Sequence, residues 1–293
     1  MIEVIRHFLE AEALVDPLDT VEFNFEDQYS LLFHLSVNSG EKSFMVKVVE
    51  DGVGQKEYGS LIDAHKKFPQ FVPTPLLLKS IGRREYVVNE YVDHSAISVA
   101  LHSKQKKIWA EDLPTFFVSE EAHLYDDHSI LENNFHHVLE KIAVYIEPDV
   151  YKELCRFIYA ADVNRYRELP VKAQHCDFSL NNLGEKDGRL IIFDWEDFGK
   201  SKTFGLDFTT FISSALYHNP RDIITFLDGS KYEHLNKIKS AFLEYGNITE
   251  KELVPVYVMC IAIFYKLKKE LGYGSETISR TKTVLVELLK HYG

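Results

Sequence analysis

The chain carries only three cysteines, Cys155, Cys176 and Cys260, far apart and odd in number. A disulfide framework is therefore not expected, and reduced thiols in a cytoplasmic protein are. No apolar run approaches the roughly 18 residues that a membrane-spanning helix requires. Residues 1–16 are amphipathic and acidic, with no basic stretch leading into an apolar one, so no signal peptide is expected either. Excess basic charge is also missing. A net charge of −12 leaves no general attraction for nucleic-acid backbones. Internal repeats and low-complexity tracts are absent. What the sequence does hold is 45% hydrophobic residues, with 16 Tyr and 20 Phe, over 293 positions. That is enough for one large core or two modest ones, and too apolar for disorder.

The patterning divides the chain in two. Val21–Phe25, Leu31–Val37 and Phe44–Val49 read as short strands separated by turn residues. Gln55–Phe68 has apolar residues at helical spacing and ends in a proline-rich stretch. Leu76–Ile81 and Tyr86–Val92 read as two further strands about Gly82-Arg83-Arg84. Helical periodicity then dominates, in Asn134–Ile146, Asp149–Tyr166, Leu206–Tyr217, Lys231–Tyr245, Glu250–Leu271 and Ser275–His291. The exception is 182–194, which looks like a hairpin turning at Asp187-Gly188. The expected architecture is α+β and bilobal. A small β-rich N-lobe spans residues 1–92 and a larger helical C-lobe spans 93–293.

The chemistry-bearing residues fall around the hairpin. Gln174-His175-Cys176-Asp177-Phe178-Ser179-Leu180-Asn181-Asn182 is a polar loop, and Ile191-Ile192-Phe193-Asp194-Trp195-Glu196 ends an apolar run in an Asp. Phosphoryl transfer needs a carboxylate to orient and deprotonate a hydroxyl, and oxygen ligands for the Mg²⁺ that bridges nucleotide phosphates. Asp177 suits the first role, and Asn182 and Asp194 suit the second.

This H-x-D-x-x-x-x-N loop followed by I-I-F-D-W-E resembles the aminoglycoside phosphotransferase and choline kinase family, relatives of the protein kinases. The resemblance implies a protein-kinase-like fold with ATP, or alternatively GTP, as phosphoryl donor, Mg²⁺ as cofactor and a small hydroxyl compound as acceptor. It makes Asp177 the catalytic base, His175 a brace for the loop, and Asn182 and Asp194 metal ligands, with Glu196 as a further acidic group at the metal. Phe204-Gly205-Leu206-Asp207 resembles the segment whose Asp ties a helix to the catalytic loop. Phe44-Met45-Val46-Lys47 sits where the family has its phosphate-binding Lys, with Glu57 as its ion-pair partner. Glu90-Tyr91-Val92 resembles the connection that binds adenine through its backbone; for the loop at Phe25–Ser30 two readings stand open, that it stands away from the nucleotide or that Ser30 contacts it.

Two departures from the pattern bear on activity. Cys176 replaces the usual Gly between the His and Asp of the loop, and Phe25–Ser30 contains no glycine where a phosphate-covering hairpin usually has one. These departures motivate a competing reading, a kinase-like nucleotide-binding regulator that has lost turnover. A protein kinase fits less well, because no long activation segment follows Asp194. Between Ile108 and Val150 ten acidic residues face one base, Lys141. That excess inclines the expected acceptor toward a cation such as an amino sugar or amino alcohol, although a solvated face explains it equally well. The histidines and aspartates of 123–137 match no compact metal site.

Overall fold

The structure is a computed structural model that describes residues 1–27, 31–118, 133–161, 164–229 and 232–293. It resolves into two compact units. The first comprises Met1–Ser95, Gly184–Asp187 and Ile191–Asp197; the second comprises Ala96–Leu183, Gly188–Leu190 and Phe198–Gly293. The expected division after Val92 misses the two later pieces of the first unit. They belong there for physical reasons: the Ile192 N–H donates to the Phe71 carbonyl at 2.7 Å, and the Trp195 indole stacks on Phe68 at 6.0 Å.

The first unit is built on a five-stranded antiparallel sheet of β1 (Val21–Asp27), β2 (Leu32–Val37), β3 (Lys42–Glu50), β4 (Pro75–Ile81) and β5 (Arg84–Glu90), in the order β1-β2-β3-β5-β4. Side chains alternate across a strand, so β2 buries Phe33, Leu35 and Val37 and β3 buries Phe44, Val46 and Val48 on one face. That face is closed by a helix, α1 (Ile2–Ala11), through Ile5, Phe8 and Leu9. With a single helix expected among the strands of this region, α1 is a correction: its three- and four-residue apolar spacing has a sheet to cover. Lys47, between buried Val46 and Val48, projects from the opposite face. The second helix of the unit, α2 (Val53–Lys67), contributes Glu57 to Lys47 on that face.

The second unit is helical, with helices Phe135–Ile142, Pro148–Ala160, Leu206–Ala215, Pro220–Leu227, Glu233–Gly246, Glu250–Glu270 and Ser275–Tyr292 among its described residues. The helix Pro220–Leu227 has no counterpart in the periodicity analysis. Glu250–Glu270 starts at a capping box in which Thr249 and Glu252 satisfy each other's backbone N–H groups. Its interior is almost wholly buried, and the Tyr257 hydroxyl meets Ser213 Oγ of the helix Leu206–Ala215 at 2.8 Å. Among the described residues no helix is long and apolar enough to cross a membrane.

Glu147 ties three helices of this unit together. It precedes Pro148–Ala160, accepts from the Tyr265 hydroxyl at 2.9 Å, and lies 3.5 Å from Lys269 and 3.3 Å from Lys282. Burial alone would raise its pKa. The hydrogen bonds from its own backbone N–H, Tyr265 and Lys282, with the Lys269 charge, outweigh burial and hold the pKa at about 2, against 4.5 ordinarily. The folded state thus prefers the ionised form, and the stabilisation is present above pH 4.5 and lost as pH falls toward 2. Since the side chain is 40% exposed, solvent screening reduces the expected effect of Glu147→Gln to about 1 kcal/mol at pH 7. Urea melts at pH 7 and pH 3 check this, with the gap between variant and wild type closing at the lower pH.

Candidate active site

In the first unit Lys47 Nζ lies 3.0 Å from Glu57 and 2.8 Å from Glu196. Burial opposes the lysine's charge, but the two carboxylates more than offset it and hold its pKa above the ordinary value. The Glu57 pKa is raised as well, to about 7: burial raises it, Lys47 pulls it down, and the neighbouring Glu196 charge raises it again. Two carboxylates on one ammonium leave the cluster short of positive charge, a shortage that nucleotide phosphates would feel. Glu196, expected at the metal, is here a partner of Lys47, so the two roles compete for one carboxylate. Asp194 is solvent-exposed and takes φ +59°, an unusual conformation for a residue that is not glycine.

The segment expected to bind adenine edges a cavity of about 770 Å³, lined by His34, Ser36, Ser43, Phe44, Glu90 and Tyr91 among others. His34 stacks on Tyr91 with ring centroids 3.6 Å apart. The backbone of this segment is already engaged within the unit. The Tyr91 N–H donates to the Ser43 carbonyl, Asn89 Nδ2 to the Glu90 carbonyl, and His94 Nδ1 lies 2.9 Å from the Val92 carbonyl. Each carbonyl keeps a second lone pair for another donor. The Glu90 side chain accepts from Thr74 Oγ1. Ser30 lies outside the described residues, as do Gln28 and Tyr29 of the glycine-free hairpin.

The second unit holds the Asp177 loop. The carboxylate of buried Asp207, in the helix Leu206–Ala215, accepts the N–H of His175 at 2.7 Å and of Cys176 at 2.9 Å. Burial raises the Asp207 pKa, while His175 and the two N–H groups counter it. Cys176 takes φ +69°, the left-handed conformation in which glycine costs least, as fits the glycine expected at this position. A side chain persists there because the two N–H bonds to Asp207 fix the backbone. The next residues are pinned as well. Phe178 is fully buried and stacks on Phe116 at 4.6 Å. The Asp177 N–H donates to His175 Nδ1 at 3.3 Å, and Asn182 Nδ2 donates to the Asp177 carbonyl at 2.8 Å. An asparagine at 207 would turn one of two acceptors into a donor facing an N–H. Asp207→Asn is expected to lower stability by about 2–4 kcal/mol, read from denaturant melts.

Asn182 spends its amide nitrogen on the loop, which leaves its carbonyl oxygen for a cation. A carboxamide oxygen is the hard kind of donor that Mg²⁺ takes, and the Asp194 carboxylate in the first unit is another. Among the described residues no group of three or more His, Cys, Asp or Glu could hold a metal ion. The excess of acid between 108 and 150 is only partly described: Glu120, Glu121, Asp126, Asp127 and Glu132 lie outside the described residues, together with His123 and His128. Of the rest, Asp112 accepts the Leu190 N–H, Glu140 lies 3.8 Å from His137, and Glu147 makes the network above.

The Asp177 carboxylate has two neighbours that sequence inspection missed. Lys268 Nζ lies 3.0 Å from Oδ1, and the Tyr273 hydroxyl donates to Oδ2 at 3.3 Å. Lys268 belongs to a run, Lys266–Lys269, at the end of a helix, which reads as a solvated basic cap; only its 2% exposure reveals it.

No family model matches the sequence, and no curated protein does. Solved structures do match. An ethanolamine kinase from Plasmodium vivax superimposes with a TM-score of 0.65 at 12% identity, covering 98% of this chain and 88% of its own. The choline kinase LicA from Streptococcus pneumoniae, also solved in complex with AMP, gives 0.62 at 16% identity with 99% of both chains covered. A Ralstonia eutropha protein provisionally described as an aminoglycoside phosphotransferase gives 0.66 at 12% identity, over 100% of this chain and 97% of its own. This chain therefore has the protein-kinase-like fold of the choline and ethanolamine kinases and the aminoglycoside phosphotransferases.

Proposed function

We propose that the chain is a kinase that moves the γ-phosphate of a nucleotide, ATP or GTP, to a hydroxyl of a small molecule. The observation that carries this reading is the Asp177 loop, whose backbone is held by the doubly accepting Asp207 and by Asn182. In the proposed reaction a carboxylate oxygen of Asp177 orients the acceptor hydroxyl and takes its proton as the oxygen attacks phosphorus. Lys47, steered by Glu57, offsets charge on the phosphates, and His175 keeps the loop in register beneath Asp177. Asn182 and Asp194 would hold Mg²⁺, with Glu196 as a further acidic group. The ion when bound supplies charge neutralisation across the phosphates. Glu90 and Val92 border the nucleobase, and positioning with electrostatics supplies most of the rate.

ADP release is the test, measured with ATP or GTP and Mg²⁺ over a broad panel of hydroxyl compounds, with Asp177→Asn as control. Acceptor-dependent release by wild type and its loss in the control support the kinase. If both proteins bind nucleotide equally and neither turns over any compound, the regulatory reading replaces it.

A further inference from the structure

Lys268 gives the acceptor site a charge that the acidic sequence conceals. The helix Glu250–Glu270 ends with Gly272 at φ +71°, and the Tyr273 N–H turns back to the Lys268 carbonyl at 3.0 Å. This cap folds the Tyr273 ring over the end of the lysine, with Nζ 3.5 Å from the ring centroid and the Phe264 ring 4.8 Å away on another side. The ammonium is fully buried, and its approach to Asp177 lacks hydrogen-bond geometry, so charge rather than a directed bond makes the pair.

An aromatic face beside a carboxylate is the chemistry that receives an ammonium ion. Here the protein's own ammonium sits in that arrangement, fixed by packing. Beyond this pair, the His218 ring feels both the Asp177 charge and that of Arg280, which itself pairs with Glu276. Burial and Arg280 lower the His218 pKa, so this ring does not supply a further charge at neutral pH.

We infer that Lys268 is a specificity-determining residue that excludes cationic acceptors and selects uncharged or acidic hydroxyl compounds, such as sugars, polyols or hydroxy acids. The inference rests on the kinase reading for the role of Asp177, and it reverses the preference suggested by the acidic segment. A substrate amine brought to Asp177 meets a like charge that cannot move away. A neutral hydroxyl meets none, and a carboxylate is attracted.

Matched acceptors separate these cases. Glucosamine, glucose and gluconate form one series; ethanolamine, ethylene glycol and glycolate form another. For wild type, kcat/KM is expected to be at least about tenfold higher for the preferred neutral or acidic member of a series than for its amine. Lys268→Met keeps the length of the side chain and removes its charge, and it should shift that ratio toward the amine by about tenfold or more. Lys268→Arg should keep the wild-type order, which a purely structural role for Lys268 would not require. Wild-type preference for the amines, or a ratio unmoved in Lys268→Met, overturns the inference. Calorimetric titration of the same compounds separates the two proposals. Binding of the sugar or acid in preference to the amine, without turnover, upholds the selection and removes the kinase. No binding and no turnover by any compound removes both.

Discussion

Replacing Asp177 by asparagine is expected to lower kcat by about 10²–10⁴-fold, the usual contribution of a positioned general base. Nucleotide affinity should stay close to wild type, because the residue acts on the acceptor hydroxyl. The amide preserves the shape of the side chain, so a fall in kcat without loss of nucleotide binding isolates the proton transfer. The variant has a second cost that must be separated from the first. Lys268 is 2% exposed and Asp177 19% exposed, so the substitution leaves a buried ammonium without its counter-charge. Breaking such a pair costs about 3–5 kcal/mol, and the lower end applies here because Asp177 still sees some solvent. Lys268→Met placed on top of Asp177→Asn should recover much of that stability and none of the proton transfer. A kcat near wild type in Asp177→Asn would remove it as the base. Recovery of kcat in the double variant would show that the first loss was merely one of folding.

Asp194→Ala is expected to abolish Mg²⁺-dependent nucleotide binding and, with it, turnover. A ligand that binds only the folded state stabilises it by about 2.7 kcal/mol at one hundred times its Kd. Wild type should therefore show a clear rise in melting temperature with nucleotide and Mg²⁺ together, and the variant should show almost none. The side chain is exposed, but φ +59° suits asparagine better than alanine, so Asp194→Asn should remove the ligating charge with a smaller change in the unliganded melting temperature. That contrast distinguishes lost ligation from lost folding. A full Mg²⁺-dependent shift in the variant would take the metal away from Asp194.

Much of the architecture is legible in the sequence because its two periodicities are clean. Strands β2 and β3 alternate buried and half-buried positions, and their limits fall within two residues of those read from the pattern. The turn at Asp187-Gly188 is equally plain, since both residues take positive φ. Helix Pro220–Leu227 went unread although its start signals are present. Asn219 caps it by accepting the Arg221 N–H, and Pro220 stands at its first turn, but eight residues are too few for apolar spacing to stand out. The Asp177 loop was legible as a motif, whereas the environment of its carboxylate was not. Lys268 lies ninety-one positions away, and no local pattern separates a lysine turned inward from its neighbours Lys266 and Lys269. The glycine expected at 176 is a different lesson: the backbone keeps the glycine-like conformation and tolerates the cysteine, with Asp207 holding the N–H groups of His175 and Cys176 that lead into it.

Helix α1 contributes Ile5, Phe8 and Leu9 to the same apolar cluster as Phe33 in β2 and Val88 in β5. During synthesis that helix emerges before the sheet and must wait some eighty residues for the last of these surfaces, holding an oily stripe with nothing to lie against. The interval is the one in which a chaperone or a second nascent chain would find it. A protease cut in the link that follows α1 would sever the peptide and still leave the helix seated, so an apparently intact fold could hide a clipped polypeptide.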